Sequence, residues 1–281
     1  MNTIVMKFGG TSVAGTEKIR NIADIVIKEV TNNKIIVVLS AMAGETNKLQ
    51  SYLDDFASQY SLESDLVLTS GEQVTIGLLS AELKNKGIKS IPLLGWQIPI
   101  ITDDSHEKAK ILHIDNKRIE KFFEKNDVIV LAGFQGISLD GEITSLGRGG
   151  SDTTAVAIAS SVDAKRCDIY TDVDGVYTTD PNIDQNAKKI SKMSYEEMLE
   201  MASTGSKVLH TRSVELAMKN NLTLQVLSSL TTSPEVVVEL MLNVSLNVTL
   251  NGDEIISHLS KSFPSHAYTV FGPIASLPEV Y

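Results

Sequence analysis

The sequence predicts an α/β fold in which a mostly parallel central sheet is covered by helices on both faces. Strand-like and helix-like stretches alternate along most of the 281 residues, which is the order of βαβ units. Most of the strand-like stretches are apolar at nearly every position, as expected for strands that are buried on both sides. Loops that contain glycine follow several of these strands, and open α/β sheets bind ligands at that edge.

Four apolar stretches predict strands in the first half of the chain, and helical patterns separate them. The predicted strands cover residues 3–8, 34–40, 90–94 and 127–134. The predicted helices cover residues 16–30, about 47–58, 63–86 and 116–126. This alternation favours a parallel sheet.

The second half continues the pattern after a short hairpin. Residues 136–144 contain Asp140-Gly141 between alternating residues, which is typical of a β-hairpin. A helix over about 151–162 follows a glycine-rich loop. The remaining predicted strands cover residues 165–173 and 222–228, and the remaining predicted helices cover residues 194–203 and 212–221.

The C-terminal stretch has a different pattern. Residues 244–252 alternate strictly between apolar and polar, which predicts a half-exposed antiparallel strand, and residues 253–263 form a short amphipathic helical pattern. We therefore divide the chain into a main α/β domain over 1–232 and a C-terminal strand–helix extension over 233–281.

Composition excludes some classes of function. The net charge of −10 and the pI near 5.0 argue against nucleic acid as the main partner, because phosphate backbones bind basic surfaces. A single cysteine, Cys167, makes no internal disulfide and fits a reducing cytosol. The N-terminal residues lack the features of a secretion signal, and no apolar run is long enough to cross a bilayer. We expect a cytoplasmic protein with no membrane partner.

The segment GRGGSD, at residues 147–152, places one arginine among glycines directly before a predicted helix. The guanidinium of Arg148 matches a carboxylate or a phosphate in bidentate geometry. The two glycines that follow let a ligand lie against the main chain, and Ser151 or Asp152 is a natural N-cap for the helix. An exposed loop arginine is the ordinary alternative, but the helix N-terminus behind it favours an anion site.

Lys7 ends the first predicted strand, and Gly9 and Gly10 follow it. Exposed backbone amides beside a lysine suit a phosphate group. The motif is neither a Walker A loop nor a G-x-G-x-x-G fingerprint, because the lysine precedes the glycines. A tight turn with a solvated lysine explains it equally well, so both interpretations stay open.

Residues 170–181 are rich in aspartate and turn-forming residues. They lack the acidic ladder and terminal glutamate of an EF-hand, which argues against calcium. Turn chemistry explains much of the spacing of Asp172 and Asp180. Tyr170 and Tyr177 are placed to flank a flat ring such as adenine.

Three further polar residues are ambiguous when taken alone. Glu72 lies beside Gly71 in a predicted helix, and a lone glutamate on a helix is usually solvated. Ser40 and Thr46 follow the second strand and are equally consistent with turn or capping hydroxyls.

Eight segments, taken together and in order, resemble the aspartate kinases of the amino acid kinase superfamily. The ordered set spans roughly residues 3–230 and is far more specific than any one segment. The segments are MKFGGTSVA (6–14), VLSAMAGETNKL (38–49), TSGEQVTIGLL (69–79), GWQIPIITDDSHEKAKI (95–111), VLAGFQGIS (130–138), SLGRGGSDTTAVAIA (145–159), DIYTDVDGVYTTDP (168–181) and GSKVLHTRSVELA (205–217).

The resemblance implies an open three-layer αβα sandwich and the ATP-dependent phosphorylation of aspartate to 4-phosphoaspartate. That reaction is the first step of lysine, threonine, methionine and diaminopimelate biosynthesis. By position, Lys7, Gly9 and Gly10 would hold the transferring phosphoryl group, and Asp152 would orient Lys7. Lys7 and Asp152 are thus the implied catalytic residues.

The resemblance also assigns the two substrates to residues. Arg148 would grip the substrate carboxylate, and Glu72 would meet its ammonium group. The implied substrate-binding set is Ser40, Thr46, Glu72, Arg148, Gly149 and Ser151. The implied nucleotide-binding set adds Thr171, Asp172, Tyr177, Asp180 and Lys207 to Lys7, Gly9 and Gly10.

The chemistry fits these assignments. The nucleophile is a carboxylate that is already ionised near neutral pH, so no general base is required. Phosphoryl transfer relies on positioning and on electrostatic stabilisation of the phosphates. We expect ATP with Mg²⁺, and because no dedicated protein metal site is visible, the phosphates and water would hold most of the metal's coordination shell.

Two features depart from the family pattern. Ser206 and Thr211 stand where the family usually has alanine and proline, but Lys207 and Arg212 are retained, so we expect activity to be kept. Family members commonly carry a pair of ACT regulatory modules. Residues 233–281 are too few for such a pair, which predicts an incomplete ACT-like remnant at most and little feedback inhibition through ACT sites. The sequence is consistent with a homo-oligomer but does not give the oligomeric state.

Two other functions remain as alternatives. One is another amino acid kinase, acting on glutamate or on a nucleoside monophosphate. The other is a non-catalytic amino-acid sensor that kept the fold. GRGGSD together with Glu72 favours a substrate amino acid with a second carboxylate, and the presence of Lys7, Arg148 and Asp152 argues against an inactive site.

Overall fold

The computed structural model describes residues 1–56, 61–172, 176–179, 184–204 and 208–229, and the backbone of 238–241. The chain divides into two compact units, Met1–Leu242 and Asn243–Tyr281, and all described residues belong to the first. The strand and helix predicted over 244–263 lie outside the described residues. The domain boundary near residue 232 therefore stays a prediction.

The described elements alternate as the sequence predicts. The strands are β1 (Asn2–Phe8), β2 (Asn33–Leu39), β3 (Ser90–Leu93), β4 (Ile100–Thr102), β5 (Ile111–Ile114), β6 (Val128–Ala132), β7 (Gln135–Ser138), β8 (Ile143–Ser145), β9 (Arg166–Thr171), β10 (Val176–Tyr177), β11 (Lys189–Ile190), β12 (Lys192–Ser194), β13 (Leu224–Ser228) and β14 (Val238–Met241). The helices are α1 (Thr16–Val30), α2 (Glu45–Asp54), α3 (Ser61–Leu68), α4 (Gly71–Asn85), α5 (Asn116–Phe123), α6 (Gly150–Ser161), α7 (Tyr195–Ser203) and α8 (Thr211–Lys219).

An eight-stranded sheet forms the centre, in the order β12-β14-β13-β9-β1-β2-β6-β3. Its neighbouring strands pair in parallel except β13 and β14, which are antiparallel. This confirms the predicted mostly parallel sheet. β1 lies between β2 and β9, so the carboxyl ends of these three strands meet at one edge.

Alternating side chains of β1 pack on opposite faces of this sheet. Ile4, Met6 and Phe8 join one core cluster with buried residues of α1 and α4. Val5 belongs to the other cluster, which includes buried residues of α6 and α8. Because side chains alternate along a strand, Lys7 lies on the same face as Val5. Helices on both faces confirm the three-layer αβα arrangement.

Helix α1 matches its predicted bounds, 16–30, because its pattern is local. Its buried residues Ile19, Ile22, Ala23 and Val26 recur at helical spacing and form one apolar stripe. That stripe packs on the even-numbered side chains of β1 in the core cluster.

The predicted helix over 63–86 is wrong in one respect, since the structure has two helices, α3 and α4. The break falls at Thr69 and Ser70. The Thr69 hydroxyl donates to the carbonyl of Asp65 at 2.7 Å, and the Ser70 hydroxyl donates to the carbonyl of Val67 at 2.7 Å. Hydroxyls that bond to nearby carbonyls compete with helical hydrogen bonds.

A second, four-stranded sheet has the order β5-β4-β7-β8. Its β7 and β8 pair antiparallel, which confirms the predicted hairpin. Gly141 adopts φ 87° in the turn, and its N–H donates to the carbonyl of Ser138. The strands β4 and β5 of this sheet are three and four residues long, and the sequence pattern did not predict them.

A small antiparallel pair, β10 and β11, completes the described strands. No helix in the described part of the chain is long and apolar enough to cross a membrane.

Candidate active site

A cavity of about 850 Å³ opens at the carboxyl ends of β1 and β2 and at the N-terminus of α6. It brings together residues that lie far apart in the sequence. All the predicted catalytic and substrate-binding residues line it, as do both glycines after β1: Lys7, Gly9, Gly10, Ser40, Thr46, Glu72, Arg148, Gly149, Ser151 and Asp152.

Lys7 and Asp152 form an ion pair in the cavity. The ammonium Nζ lies 2.5 Å from Oδ1 of Asp152, and the two side chains are 12% and 13% exposed. The pairing follows from the fold, because the odd-numbered face of β1 carries Lys7 towards α6 and Asp152 lies in the first turn of that helix. Desolvation strengthens such a pair, so the orientation of the ammonium group is well defined.

The N-terminus of α6 is built differently from the prediction. Gly149, rather than Ser151 or Asp152, is the N-cap residue, and no side chain caps the helix. Gly149 adopts φ 70°, and a Cβ there would lie 2.4 Å from the ring of His210. Only glycine fits this position without strain. The helix therefore starts before Ser151 and Asp152, and its first turn points its positive dipole end at the cavity.

Gly10 lets the loop after β1 approach the loop after β2. A Cβ on Gly10 would lie 2.9 Å from the carbonyl oxygen of Ala41. The Ala43 N–H donates to the carbonyl of Gly10 at 3.0 Å, which ties the two loops together. Gly9 lies beside the ion pair, since a Cβ on Gly9 would lie 3.5 Å from Nζ of Lys7.

Glu72 is a buried carboxylate with one oxygen unused. Oε1 accepts the Ala41 N–H at 3.0 Å, whereas Oε2 is buried without a hydrogen-bond partner among the described residues. Burial raises the pKa of Glu72 to about 8, and its backbone hydrogen bonds offset only part of that rise. A cationic group that entered the cavity and reached Oε2 would favour the ionised form.

The Arg148 loop is held from one side by Arg212. Nη2 of Arg212 donates to the carbonyls of Leu146 and Arg148, the latter at 3.2 Å. Arg148 itself is exposed and lines the cavity. Its guanidinium has no hydrogen bond or ion pair to any described residue, so its five donors are available to a ligand.

Lys7, Gly9 and Gly10 of the predicted nucleotide set line this cavity, whereas its described members Thr171, Asp172 and Tyr177 do not. Thr171 is the last residue of β9 and Asp172 follows it, next to the end of β1, and the Thr171 hydroxyl donates to Asp172 at 3.2 Å. Tyr177 lies on β10, with Nζ of Lys189 5.7 Å from its ring centroid. Asp180 and Lys207 lie outside the described residues.

Tyr170 does not flank an open site. Its ring stacks on Phe8 with centroids 4.4 Å apart, and only 8% of the residue is exposed. Both residues belong to the core cluster on the α1 and α4 face. The suggestion that Tyr170 flanks an adenine ring is therefore wrong, because the strand pairing turns it into the core.

The sequence did not identify Asp65, the most connected carboxylate near the cavity. It is fully buried on α3 and accepts hydrogen bonds from Ser145, His106 and the Glu107 N–H. Glu107 and Ser145 line the cavity and were also missed. The sequence did offer one signal for Asp65, which is an acidic residue inside an apolar helical stretch. No cluster in the described ranges has the three acidic, histidine or cysteine side chains that would hold a metal ion.

Comparison with known proteins identifies the family. The model of the amino acid kinase family matches residues 2–228. The aspartokinase of Rickettsia felis is 48% identical over 240 residues, covering 84% of this chain and 60% of the relative. The aspartate kinase of Pseudomonas putida is 44% identical over 286 residues, covering 98% of this chain and 70% of the relative.

A solved structure agrees with this assignment. Aspartokinase III of E. coli, in complex with aspartate and ADP, superposes with a TM-score of 0.76 at 26% identity, covering 86% of this chain and 65% of that one. The present chain therefore spans only part of the length of the proteins it resembles. It belongs to the amino acid kinase family and, within it, to the aspartokinases.

Proposed function

We propose that the protein transfers the γ-phosphoryl group of ATP to the side-chain carboxylate of L-aspartate, giving 4-phospho-L-aspartate and ADP. The reaction would supply the aspartate-derived route to lysine, threonine, methionine and diaminopimelate. The observation that carries the proposal is the convergence in one cavity of the Lys7–Asp152 pair, the α6 N-terminus, Arg148 and Glu72. The names of the relatives, and the aspartate and ADP bound to E. coli aspartokinase III, support it.

The chemical problem is the repulsion between an anionic nucleophile and a polyanion. An oxygen of the aspartate carboxylate attacks the γ-phosphorus, and the bond from that phosphorus to the β,γ-bridging oxygen breaks, leaving ADP with the electron pair. No proton has to be removed from the nucleophile. The chain's part is to supply positive charge: the ammonium of Lys7, held by Asp152, and the amides after β1 at Gly9 and Gly10.

The amino acid would be recognised by both of its charges. Arg148 would bind a carboxylate in bidentate geometry, and Oε2 of Glu72 would accept from the ammonium group. Ser40, Thr46 and the α6 residues Gly149 and Ser151 would complete the contacts. A site with one fixed cation and one fixed anion selects an amino acid over a nucleoside monophosphate, which lacks the ammonium group.

The nucleotide would lie beyond Lys7, towards the end of β9. We assign it to Thr171, Asp172, Tyr177, Asp180 and Lys207, in addition to the loop after β1. The cavity offers an ammonium, a guanidinium and backbone amides, which suit phosphate oxygens. Mg²⁺, which would neutralise phosphate charge when bound, would therefore be coordinated mainly by the phosphates and water.

A coupled assay of ATP consumption tests the proposal. It compares L-aspartate, L-glutamate, UMP and no acceptor, and hydroxylamine traps any acyl phosphate formed. We expect consumption and trapping with aspartate alone. Turnover with glutamate or UMP instead would favour another kinase of the family, and nucleotide-independent binding of aspartate without turnover would favour a sensor.

Lys7→Ala is the loss-of-function variant for this assay. Because it removes the cation that offsets the repulsion between the reactants, we expect kcat to fall about 10³-fold or more. The matched control is Lys117→Ala, an exposed lysine on α5, which should keep wild-type kinetics. Wild-type turnover by Lys7→Ala would overturn the assigned role of Lys7.

A further inference from the structure

Asp65 is a charged group that the proposed reaction does not use. It is fully buried on α3, beside the cavity but not lining it. The Ser145 hydroxyl donates to its Oδ1 at 2.5 Å, and the Glu107 N–H donates to both of its oxygens at 3.0 and 3.2 Å. His106 approaches its Oδ2 through Nδ1 at 2.8 Å. A buried carboxylate with this many donors fixes the segments that carry them.

His106 extends the network to a third segment. Its Nε2 lies 3.3 Å from Oε2 of Glu142, in the turn between β7 and β8. Burial by itself lowers the pKa of His106, but the hydrogen bonds and charges of Asp65 and Glu142 outweigh it and raise the pKa above 6.5. These two carboxylates, one from α3 and one from the hairpin, are the charges that act on the imidazole. Protonated His106 therefore joins three segments.

The network is not a nucleophilic triad, although it contains serine, histidine and aspartate. In a triad the histidine lies between the serine and the carboxylate. Here Ser145 and His106 both bond to Asp65, and His106 turns its other nitrogen to Glu142. The arrangement holds the backbone and activates no hydroxyl.

The network reaches the substrate side of the cavity through the main chain. Glu107 adopts φ 65° with its N–H fixed by Asp65. Its carbonyl oxygen packs so closely on Gly147 that a Cβ there would lie 2.8 Å away. The Ala109 N–H donates to the carbonyl of Ser145 at 2.9 Å. The segment 107–109 thus supports the backbone that leads directly into Arg148.

We propose that Asp65 and His106 are positioning residues that place the Arg148 guanidinium for the substrate carboxylate. They act through Glu107 and Gly147 on one side of the Arg148 loop, while Arg212 holds the other side. The inference rests on the proposed function, in which Arg148 binds that carboxylate. Neither residue touches the reactants, so their loss should weaken binding of the amino acid rather than of ATP.

The kinetic test uses two isosteric replacements. In His106→Gln the amide nitrogen reaches the place of Nε2 and the bond to Asp65 is lost, so the KM for aspartate should rise roughly fivefold to tenfold. The KM for ATP and kcat should change less than about twofold. In His106→Asn the amide nitrogen takes the place of Nδ1 and still donates to Asp65, so most of the wild-type KM should return. His113→Gln, at an exposed position of β5, is the matched control.

The pH profile separates positioning from simple support. The quantity to follow is the ratio of the aspartate KM of His106→Gln to that of the wild type, because the ionisation of substrate and of Glu72 affects both proteins alike. The ratio should be largest near pH 6, where wild-type His106 is charged, and should fall as the pH rises through its raised pKa. A ratio independent of pH, or an equal rise in the KM for ATP, would overturn the proposal.

A readout without substrate keeps this inference distinct from the proposed function. Trypsin cleaves after exposed arginines, so the rate of cleavage after Arg148 reports how firmly its loop is held. The rate should increase severalfold in His106→Gln and return towards wild type in His106→Asn. If the wild type failed to phosphorylate aspartate, the proposed function would fall while the cleavage rates still decided the positioning role. Unchanged cleavage and an unchanged KM would reject it.

Discussion

Two buried carboxylates on neighbouring helices next to the cavity make a useful comparison. Asp65 on α3 has hydrogen bonds from three residues of the chain. Glu72 on α4 has one hydrogen bond, to the Ala41 N–H, and an Oε2 with no partner in the described part of the protein. Both are at most 3% exposed, so burial does not distinguish them. The two carboxylates differ in that Glu72 has an oxygen without a partner among the described residues, whereas both oxygens of Asp65 accept hydrogen bonds.

The difference separates support from recognition. A buried carboxylate whose oxygens are all bonded within the chain stabilises the fold, and removing it leaves its donors unpaired. A buried carboxylate with an unused oxygen costs stability until a cation reaches it. We therefore expect substitution of Asp65 to lower stability, and substitution of Glu72 to lower activity without lowering stability.

Glu72→Gln should give the largest separation. The amide keeps the acceptor for Ala41 but cannot form an ion pair with the substrate ammonium, so kcat/KM for aspartate should fall roughly 10²-fold or more. Below pH 4.5, where Glu72 is protonated in both the folded and the unfolded state, the free energy of unfolding should stay within about 0.5 kcal/mol of wild type; at neutral pH the variant should be the more stable, because it avoids the proton uptake that folding imposes on Glu72. Steady-state kinetics and urea denaturation measure the two effects. Glu82→Gln, on the same helix, is the control.

A Glu72→Gln protein that lost stability but kept its activity would contradict this distinction between the two carboxylates. It would mean that the unpartnered oxygen has no ligand, and the assignment of the substrate ammonium to Glu72 would be wrong.

Asp65→Ala should show the opposite behaviour. It leaves the Ser145 hydroxyl, His106 and the Glu107 N–H without their acceptor, so the free energy of unfolding should fall by about 3 kcal/mol. Chemical denaturation measures it, with Glu63→Ala, an exposed residue two positions earlier on α3, as the control. A loss below about 1 kcal/mol would show that water replaces the carboxylate and that its hydrogen bonds do not hold the three segments.

Gly149→Ala tests the same wall of the cavity without changing a charge. The substitution demands φ 70° of a residue with a Cβ and drives that atom into the His210 ring. We expect a loss of about 2 kcal/mol in stability and a raised KM for aspartate, because Arg148 precedes the glycine. Thermal denaturation and kinetics report the two effects. An alanine variant with wild-type values would show that the turn tolerates a side chain and that its geometry does not set the site.

The sequence predicts those parts of the fold that depend on local periodicity and misses those that depend on contacts between segments. β1, α1 and β2 match their predicted ranges within about a residue, because their apolar periodicity is local. The strands β4 and β5 were missed since three or four residues carry no readable period, and the pairing of β4 with β7 depends on a segment that is distant in the sequence. The break between α3 and α4 depends on hydroxyl contacts that no periodicity shows.

The site divides in the same way. Lys7, Arg148 and Glu72 stand in motifs, so the ordered set of motifs predicted them, and the structure adds that they line one cavity. Their roles in binding and transfer stay predictions. Asp65 stands in none of the motifs, and its hydrogen bonds form only when α3, the segment at 106–107 and β8 meet. A sequence shows a residue type at a position, whereas a satisfied or unsatisfied hydrogen bond exists only in the fold.

The pH dependence of stability tests the unused oxygen of Glu72 directly. Its folded pKa of about 8 lies above the ordinary value of 4.5, so the folded state holds a proton that the unfolded state has lost. The stability associated with this proton is complete below pH 4.5 and is lost as the pH rises to about 8. Between these values the free energy of unfolding should fall by up to about 1.4 kcal/mol per pH unit from this group.

Comparison with Glu72→Gln isolates this contribution, because Asp168, whose pKa burial raises to about 6 despite its bond to Arg166, is present in both proteins. When no ligand is bound, the difference in unfolding free energy between wild type and Glu72→Gln should change with pH. Saturating L-aspartate should flatten it, since an ammonium group at Oε2 keeps the carboxylate ionised and returns its pKa towards the ordinary range. Parallel stability curves without ligand would show that the carboxylate is solvated, and an unchanged slope with aspartate would place the ammonium elsewhere.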